Sequence, residues 1–297
     1  MPVDRPRLLG LVLVTAFSLV TACGVSSGGR GDAREDAGST TSTAPLTSPS
    51  SGIETTDDTP ALVDIGEGRR LFVHCGGTGS PTVLLESGDE SDQFQWSAVF
   101  GRIAEQTRVC AYDRLGNGSS DPATGCRRTP ELLADLQAML NAVDARPPYV
   151  LVGTSGGGFL MTSYAYAHPA DTAGIVLAET PHAIIPSQAP QELLDELDCR
   201  SPLNQERRDY VAVERFAWEH RQRIGRIPMT VISNNYGKYF ENEEQRTNVQ
   251  GQRGWLVLSP LAKQVVVTSG HAVPENEPEV TLQEILRVLT EAHARTP

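Results

Sequence analysis

From residue 61 onward the chain alternates between short apolar runs and longer segments whose apolar residues recur every three to four positions. The runs "RRLFVHC" (69–75), "PTVLLESG" (81–88), "TRVCAYD" (107–113), "PYVLVG" (148–153), "GIVLAE" (174–179), "IPMTVIS" (227–233) and "KQVVVTSG" (263–270) are predicted strands. Several are apolar almost throughout, as strands covered on both faces of a parallel sheet must be. Between them, "TPELLADLQAMLNAVDA" predicts a helix with Thr129 as N-cap and Pro130 at its first position, and with Leu132, Leu136, Met139 and Val143 on one face. "EVTLQEILRVLTEAHA" repeats the pattern near the C-terminus with Leu282, Ile285, Leu286 and Leu289. Alternation of this kind predicts an α/β fold, a mainly parallel central sheet flanked by helices. One stretch interrupts it. Residues 183–226 carry two helix-like segments, "QELLDELDC" and "QERRDYVAVERFAWEHRQRI", and no strand-like run. They predict a small helical cap over the strand C-termini, where open α/β sheets bind ligands.

Upstream of residue 61 the pattern changes. Arg5 and Arg7 precede an apolar run from Leu8 to Val20 that is short for a membrane span, which is the layout of an export signal. Val20-Thr21-Ala22-Cys23 resembles the bacterial lipobox, so residues 1–22 read as a lipoprotein signal peptide and Cys23 as the lipidated residue. A plain cleaved signal with an incidental Cys23 is the alternative. Residues 23–60 are rich in Ser, Thr, Gly and Pro and have little apolar surface to bury, so they read as a disordered tether. The expectation is a protein exported and held by its lipid on the outer face of a bacterial membrane.

Charge narrows the classes further. Of the 297 residues, 25 are Lys or Arg and 37 Asp or Glu, a net charge of -12 with no basic cluster, which argues against nucleic acid as a partner. Apart from Cys23 there are four cysteines, Cys75, Cys110, Cys126 and Cys199. An even number in an exported chain suggests two disulfides out of three possible connectivities, with buried free thiols as the alternative.

The candidate chemistry centres on Gly153-Thr154-Ser155-Gly156-Gly157, a G-x-S-x-G motif. In a chain with 27 glycines the motif alone is weak. Its setting strengthens it: "PYVLVG" precedes it as a strand, and "GFLMTSYAYAHP" comes after it with Leu160, Tyr164 and Ala165 at helical spacing. On such a turn the hydroxyl is exposed at a helix N-terminus, which favours developing negative charge. A serine needs a base to become a nucleophile. Among six histidines, His271 directly follows the last predicted strand and fits the chain order Ser, acid, His. His74 lies in a strand, His168 ends a helix, His220 falls in the cap and His293 in the tail. His182, close to Glu179, remains a second candidate by spacing.

Taken together, "PTVLLESGDES", "YDRLGNGSSD", "LVGTSGGG" and "TSGHAV" resemble the α/β-hydrolase family over residues 61–297. The resemblance implies an oxyanion hole made by the N–H groups of Asp89 and Gly156, although "SGDES" departs from the more familiar His-Gly-Gly type. It also implies that Asp113 and Arg114 brace a loop. Family members usually carry the triad acid after the strand that here reads "IPMTVISNNYG", where Ser233, Asn234 and Asn235 offer no carboxylate. Some place it one strand earlier, and that position holds Glu179; Glu241, Glu243 or a Ser–His dyad are the alternatives. The arrangement of strands in the family suggests the pairings Cys75–Cys110 and Cys126–Cys199, the second stapling the cap beside the site.

The resulting expectation is a serine hydrolase acting on a small-molecule carboxylic ester through an acyl-enzyme. Ser155 is the nucleophile, His271 the base and Glu179 the acid. No metal cluster or nucleotide fingerprint is present in the sequence, so no metal and no cofactor are expected. Peptidase, thioesterase and acyltransferase chemistry use the same groups, and a binding lipoprotein without catalysis is the competitor from another class. Epoxide hydrolases and dehalogenases of this fold need an aspartate where Ser155 stands. Neither the acyl preference nor the oligomeric state is legible.

Overall fold

The structure is a computed structural model that describes residues 59–182, 189–237 and 248–295. Cys23, nearly all of the predicted tether and both Glu241 and Glu243 lie outside those residues.

Among the described residues, eight strands form one sheet: β1 (Ala61–Asp64), β2 (Arg70–Gly76), β3 (Thr82–Glu86), β4 (Val109–Tyr112), β5 (Tyr149–Thr154), β6 (Thr172–Ala178), β7 (Met229–Asn234) and β8 (Ala262–Val267). Their order is β1-β2-β4-β3-β5-β6-β7-β8. The pairs β1–β2 and β2–β4 are antiparallel, and all pairs from β4 through β3 to β8 are parallel. Strand β1 is not among the predicted strands. It is four residues long and mostly exposed, with Leu62 left 43% accessible, so it carries no apolar run to read. The last strand is shorter than its apolar pattern suggests: β8 stops at Val267, and Thr268–Gly270 leave the sheet toward His271.

Side chains on a strand alternate between faces, and β5 shows why its run must be apolar throughout. Leu151 enters the core cluster shared with α2 (Thr129–Ala142), α3 (Gly156–Ala167) and α5 (Tyr210–Glu219). Val150 and Val152 enter the opposite cluster, with α1 (Ser97–Ala104) and α6 (Pro278–His293). Burying each such side chain contributes about 1.5–3 kcal/mol. The predicted N-cap shifts by one residue: Arg128 caps α2, and the Glu131 carboxylate accepts its backbone N–H at 2.9 Å.

Two helices lie between β6 and β7 among the described residues, α4 (Gln191–Leu197) and α5. The second packs against the layer that flanks the sheet. Val213 and Ala217 of α5 are buried in the sheet-flanking core beside α3, so this helix belongs to the layer that covers the sheet. A 3.6-residue apolar stripe looks the same whether a helix covers a sheet or roofs a site. The segment between α4 and α5 instead reaches the loops that follow β3, β4 and β5 through Glu206 and Arg208.

Both cysteine pairs are bonded. Cys75 and Cys110 stand directly opposite each other on β2 and β4, with Cα atoms 4.1 Å apart. Cys126, just before α2, joins Cys199, just after α4, with Cα atoms 5.1 Å apart.

Candidate active site

The turn from β5 into α3 places Ser155 at φ 47° and ψ -128°, a left-handed conformation that is strained for any residue with a side chain. Its backbone N–H donates to the Ala178 carbonyl of β6 at 2.8 Å, which fixes the turn to the neighbouring strand. Two glycines make the turn possible. A side chain at position 156 would collide with the Asp89 carboxylate, and one at position 158 with Thr180.

His271 Nε2 lies 2.9 Å from Ser155 Oγ. His182 is elsewhere: its ring packs near Trp218 and Gly251, and burial lowers its pKa, keeping it neutral. The loop that presents His271 is held by Asn234 at the end of β7. Its amide nitrogen donates to the carbonyls of Ser269 (2.9 Å) and Gly270 (2.8 Å), and its amide oxygen accepts the N–H groups of Ser269 (2.9 Å) and Tyr236 (2.8 Å). Where the family usually has its acid, this chain has a clamp.

Glu179, one residue beyond β6, is 1% accessible and sits at φ 53°. Its Oε1 accepts from the Asn234 N–H at 2.6 Å and from Gln252 Nε2 at 3.0 Å. Its Oε2 accepts the Tyr236 hydroxyl proton and lies 3.6 Å from His271 Nδ1, beyond ordinary hydrogen-bond reach. The same Tyr236 oxygen is 3.2 Å from His271 Nδ1. Ser155, His271 and Glu179 are therefore brought to one place, with Tyr236 between the last two. Burial, reinforced by the Glu179 charge, raises the Tyr236 pKa, so the phenol stays protonated. Tyr236 too has a positive φ, 55°, so three strained residues meet around one imidazole that is itself half-exposed. Strain of about 1–3 kcal/mol per residue is a cost tolerated mainly at functional sites.

Asp89 and Gly156 are adjacent, and Gly88 lies against Ser155. The loop bearing Asp89 is held from below by buried Arg114, which donates to the carbonyls of Ser87 and Gly88, each at 2.7 Å, and to Glu86 Oε1 at 2.5 Å. It also grips Glu206 through Nε (2.7 Å) and Nη2 (2.8 Å), a two-point geometry suited to guanidinium. Burial opposes the Arg114 charge, but Glu206 and Glu86 outweigh it and hold its pKa well above the usual value. For Glu206 burial is likewise outweighed, by Arg114, and its pKa falls; for Glu86 burial wins and its pKa rises. Asp113 accepts the N–H groups of Gln93 and Ser119 at 2.8 Å each, so both residues expected to brace this loop do so.

From the segment after α4, Arg208 reaches in with no exposed surface. Nη1 donates to Asp89 Oδ1 at 2.6 Å and Nη2 to the Gly156 carbonyl at 2.8 Å. The Asp89 carboxylate, which would repel an anion forming beside Gly156, is thus paired with a cation. Tyr236, Gln252, Arg208 and Glu206 are not identifiable from the sequence, where each is an ordinary polar residue outside any motif.

The alpha/beta hydrolase fold family matches residues 71–207, which span the stretch from β2 to the buried Glu206 brace. The chain has the α/β-hydrolase fold. It is 30% identical over 135 residues to the protein named Probable transporter efuK of Hormonema carpetanum, covering 43% of this chain but 19% of that one. It therefore spans about a fifth of that relative's length. Uncharacterized protein YqjL of Bacillus subtilis is 22% identical over 217 residues, 70% of this chain and 83% of the relative. A thermophilic esterase from Thermogutta terrifontis, solved with malate bound, superposes with a TM-score of 0.60 at 18% identity, over 79% of this chain and 99% of the other. At that identity the likeness concerns the fold.

Proposed function

We propose that this protein cleaves a small carboxylic ester through an acyl-enzyme at Ser155. The observation that carries the reading is the 2.9 Å approach of His271 Nε2 to an Oγ held on a strained turn. Ser155 Oγ attacks the carbonyl carbon while its proton passes to Nε2. The oxygen that becomes negative lies against the N–H groups of Gly156 and Asp89, each such donor typically contributing about 10²–10³ in rate. Collapse of the tetrahedral intermediate expels the alkoxide, which takes the proton from His271. Water then repeats the sequence, with Nε2 as base, and releases the acid.

Glu179 favours the imidazolium that forms, and its burial beside the imidazole supports its assignment as the acid. Strain at Ser155 favours catalysis over simple binding, because a binding surface has no use for an exposed hydroxyl at positive φ. The fold shared with the Thermogutta esterase fits the same reading. Peptidase, thioesterase and acyltransferase activities would run on the same groups.

Export and lipidation at Cys23 complete the proposal. Two disulfides suit an oxidising compartment, and the lipobox-like sequence supplies the anchor. The partners proposed are thus an ester and, through the lipid, a membrane. Rapid mixing with p-nitrophenyl esters tests the chemistry: a burst of about one nitrophenol per chain, absent from Ser155→Ala, is expected. Equal turnover by Ser155→Ala would contradict it.

A further inference from the structure

We propose that Tyr236 is the positioning residue through which Glu179 acts on His271, a hydroxyl relay in place of direct carboxylate contact. The inference rests on the serine hydrolase reading and adds a residue to it. Glu179 Oε2 is 3.6 Å from His271 Nδ1, whereas the Tyr236 oxygen is 3.2 Å from Nδ1 and gives its proton to Oε2. A phenol has one proton to donate and lone pairs with which to accept. With that proton committed to Glu179, only a lone pair faces the imidazole. Nδ1 must then carry the hydrogen, and Nε2 is left as the acceptor that Ser155 needs.

Glu179 cannot readily swing in to replace the relay. Its other oxygen is pinned by the Asn234 N–H and by Gln252 Nε2, and the carboxylate is buried. Tyr236 is pinned as well, by its own N–H to the Asn234 amide oxygen. One asparagine therefore orders the relay and the His271 loop together. Because burial and the Glu179 charge keep the phenol protonated, Tyr236 is neutral in the resting form and donates in one direction only, to Glu179. When His271 takes the serine proton, Nδ1–H to Tyr236 and Tyr236 to Glu179 both strengthen, with no further proton transfer required.

The test is a double-mutant cycle of Tyr236→Phe and Glu179→Gln, scored on ester turnover. Tyr236→Phe keeps the ring and removes the hydroxyl. The expected result is a fall of about 10- to 100-fold in kcat with KM within about twofold, since the oxyanion donors and Ser155 are untouched. Glu179→Gln is expected to cost more than this alone. Its amide can donate to the phenol oxygen and turn the phenol proton onto Nδ1, imposing the wrong tautomer. In the Tyr236→Phe background it should cost less than about threefold further, because residues acting in series are not additive. The low-field proton NMR resonance of Nδ1–H should move in Tyr236→Phe and in protein carrying fluorinated tyrosine at 236, which preserves the packing. A Tyr236→Phe variant with wild-type kcat and an unmoved resonance would overturn the relay. Equal cost of Glu179→Gln in both backgrounds would do the same. If Ser155→Ala were as active as wild type, the underlying hydrolase reading would fall instead.

Discussion

Asn234 and Ser269 hold each other twice. The Asn234 amide nitrogen donates to the Ser269 carbonyl at 2.9 Å, and its amide oxygen accepts the Ser269 N–H at 2.9 Å. This pairing explains why a carboxylate at the position usual for the family's acid would be harmful here. Asn234→Asp would aim a second acceptor at two carbonyl oxygens and set a like charge beside Glu179. Each buried acceptor left without a donor costs about 1–3 kcal/mol. We expect kcat/KM to fall at least about tenfold and Tm to drop, both measured against wild type. Retained activity would mean that the His271 loop is ordered by something else.

Arg208 and Asp89 should behave as a coupled pair. Arg208→Met leaves the Asp89 carboxylate, 30% accessible, beside Gly156 without its counter-ion. Turnover should fall at least about tenfold through kcat, because the unpaired negative charge opposes the forming oxyanion. Asp89→Asn in the same background removes the charge and should recover part of the loss. A double variant no better than Arg208→Met would show that Arg208 acts only by packing.

The two disulfides are expected to differ in effect. Cys126–Cys199 closes 73 residues of chain and ties down the segment carrying Glu206 and Arg208. Chain-entropy arithmetic assigns it up to about 4 kcal/mol. Replacing both cysteines by serine should lower both Tm and kcat. Cys75–Cys110 closes 35 residues between strands already paired in the sheet, away from the residues around Ser155. Its removal should lower Tm while leaving kcat at 25 °C within about twofold. Equal kcat losses in the two variants would contradict the division of labour.

Glu206 makes acid stability testable. Burial alone would raise its pKa, but Arg114 outweighs burial and the folded value lies below the usual 4.5. A carboxyl depressed in this way contributes stability above its unfolded pKa and loses it as pH falls through the folded value. Glu206→Gln leaves Arg114 short of a counter-charge in a buried site and should cost about 3–5 kcal/mol at neutral pH. The difference from wild type, tracked by thermal unfolding, should shrink as the pH drops below about 4. A difference independent of pH would assign the loss to geometry alone.

Legibility in the sequence divides along the range of the interaction. Ser155 and His271 are legible because their signals are local, an apolar strand running into glycines and a histidine directly after the last strand. The sheet is legible for the same reason, except for β1, whose four residues are too exposed to form a pattern. Helix α5 is legible as a helix but not as a sheet-covering one, since its stripe does not say what it faces. Tyr236 is illegible. Its role depends on β6 and β7 pairing in the register that sets Ala178 beside Ile232, which brings the residues beyond each strand around one imidazole. Arg208 likewise acts 119 residues from Asp89, and no spacing rule announces such a pair.

The most direct test of the central claim is reaction of the folded protein with a fluorophosphonate, with the modified peptide located by mass spectrometry. A nucleophilic Ser155 activated by His271 predicts a single adduct on Ser155, formed stoichiometrically, slowed strongly in His271→Ala and absent from Ser155→Ala. Folded wild-type protein that takes up no label, or label on a residue other than Ser155, would contradict it.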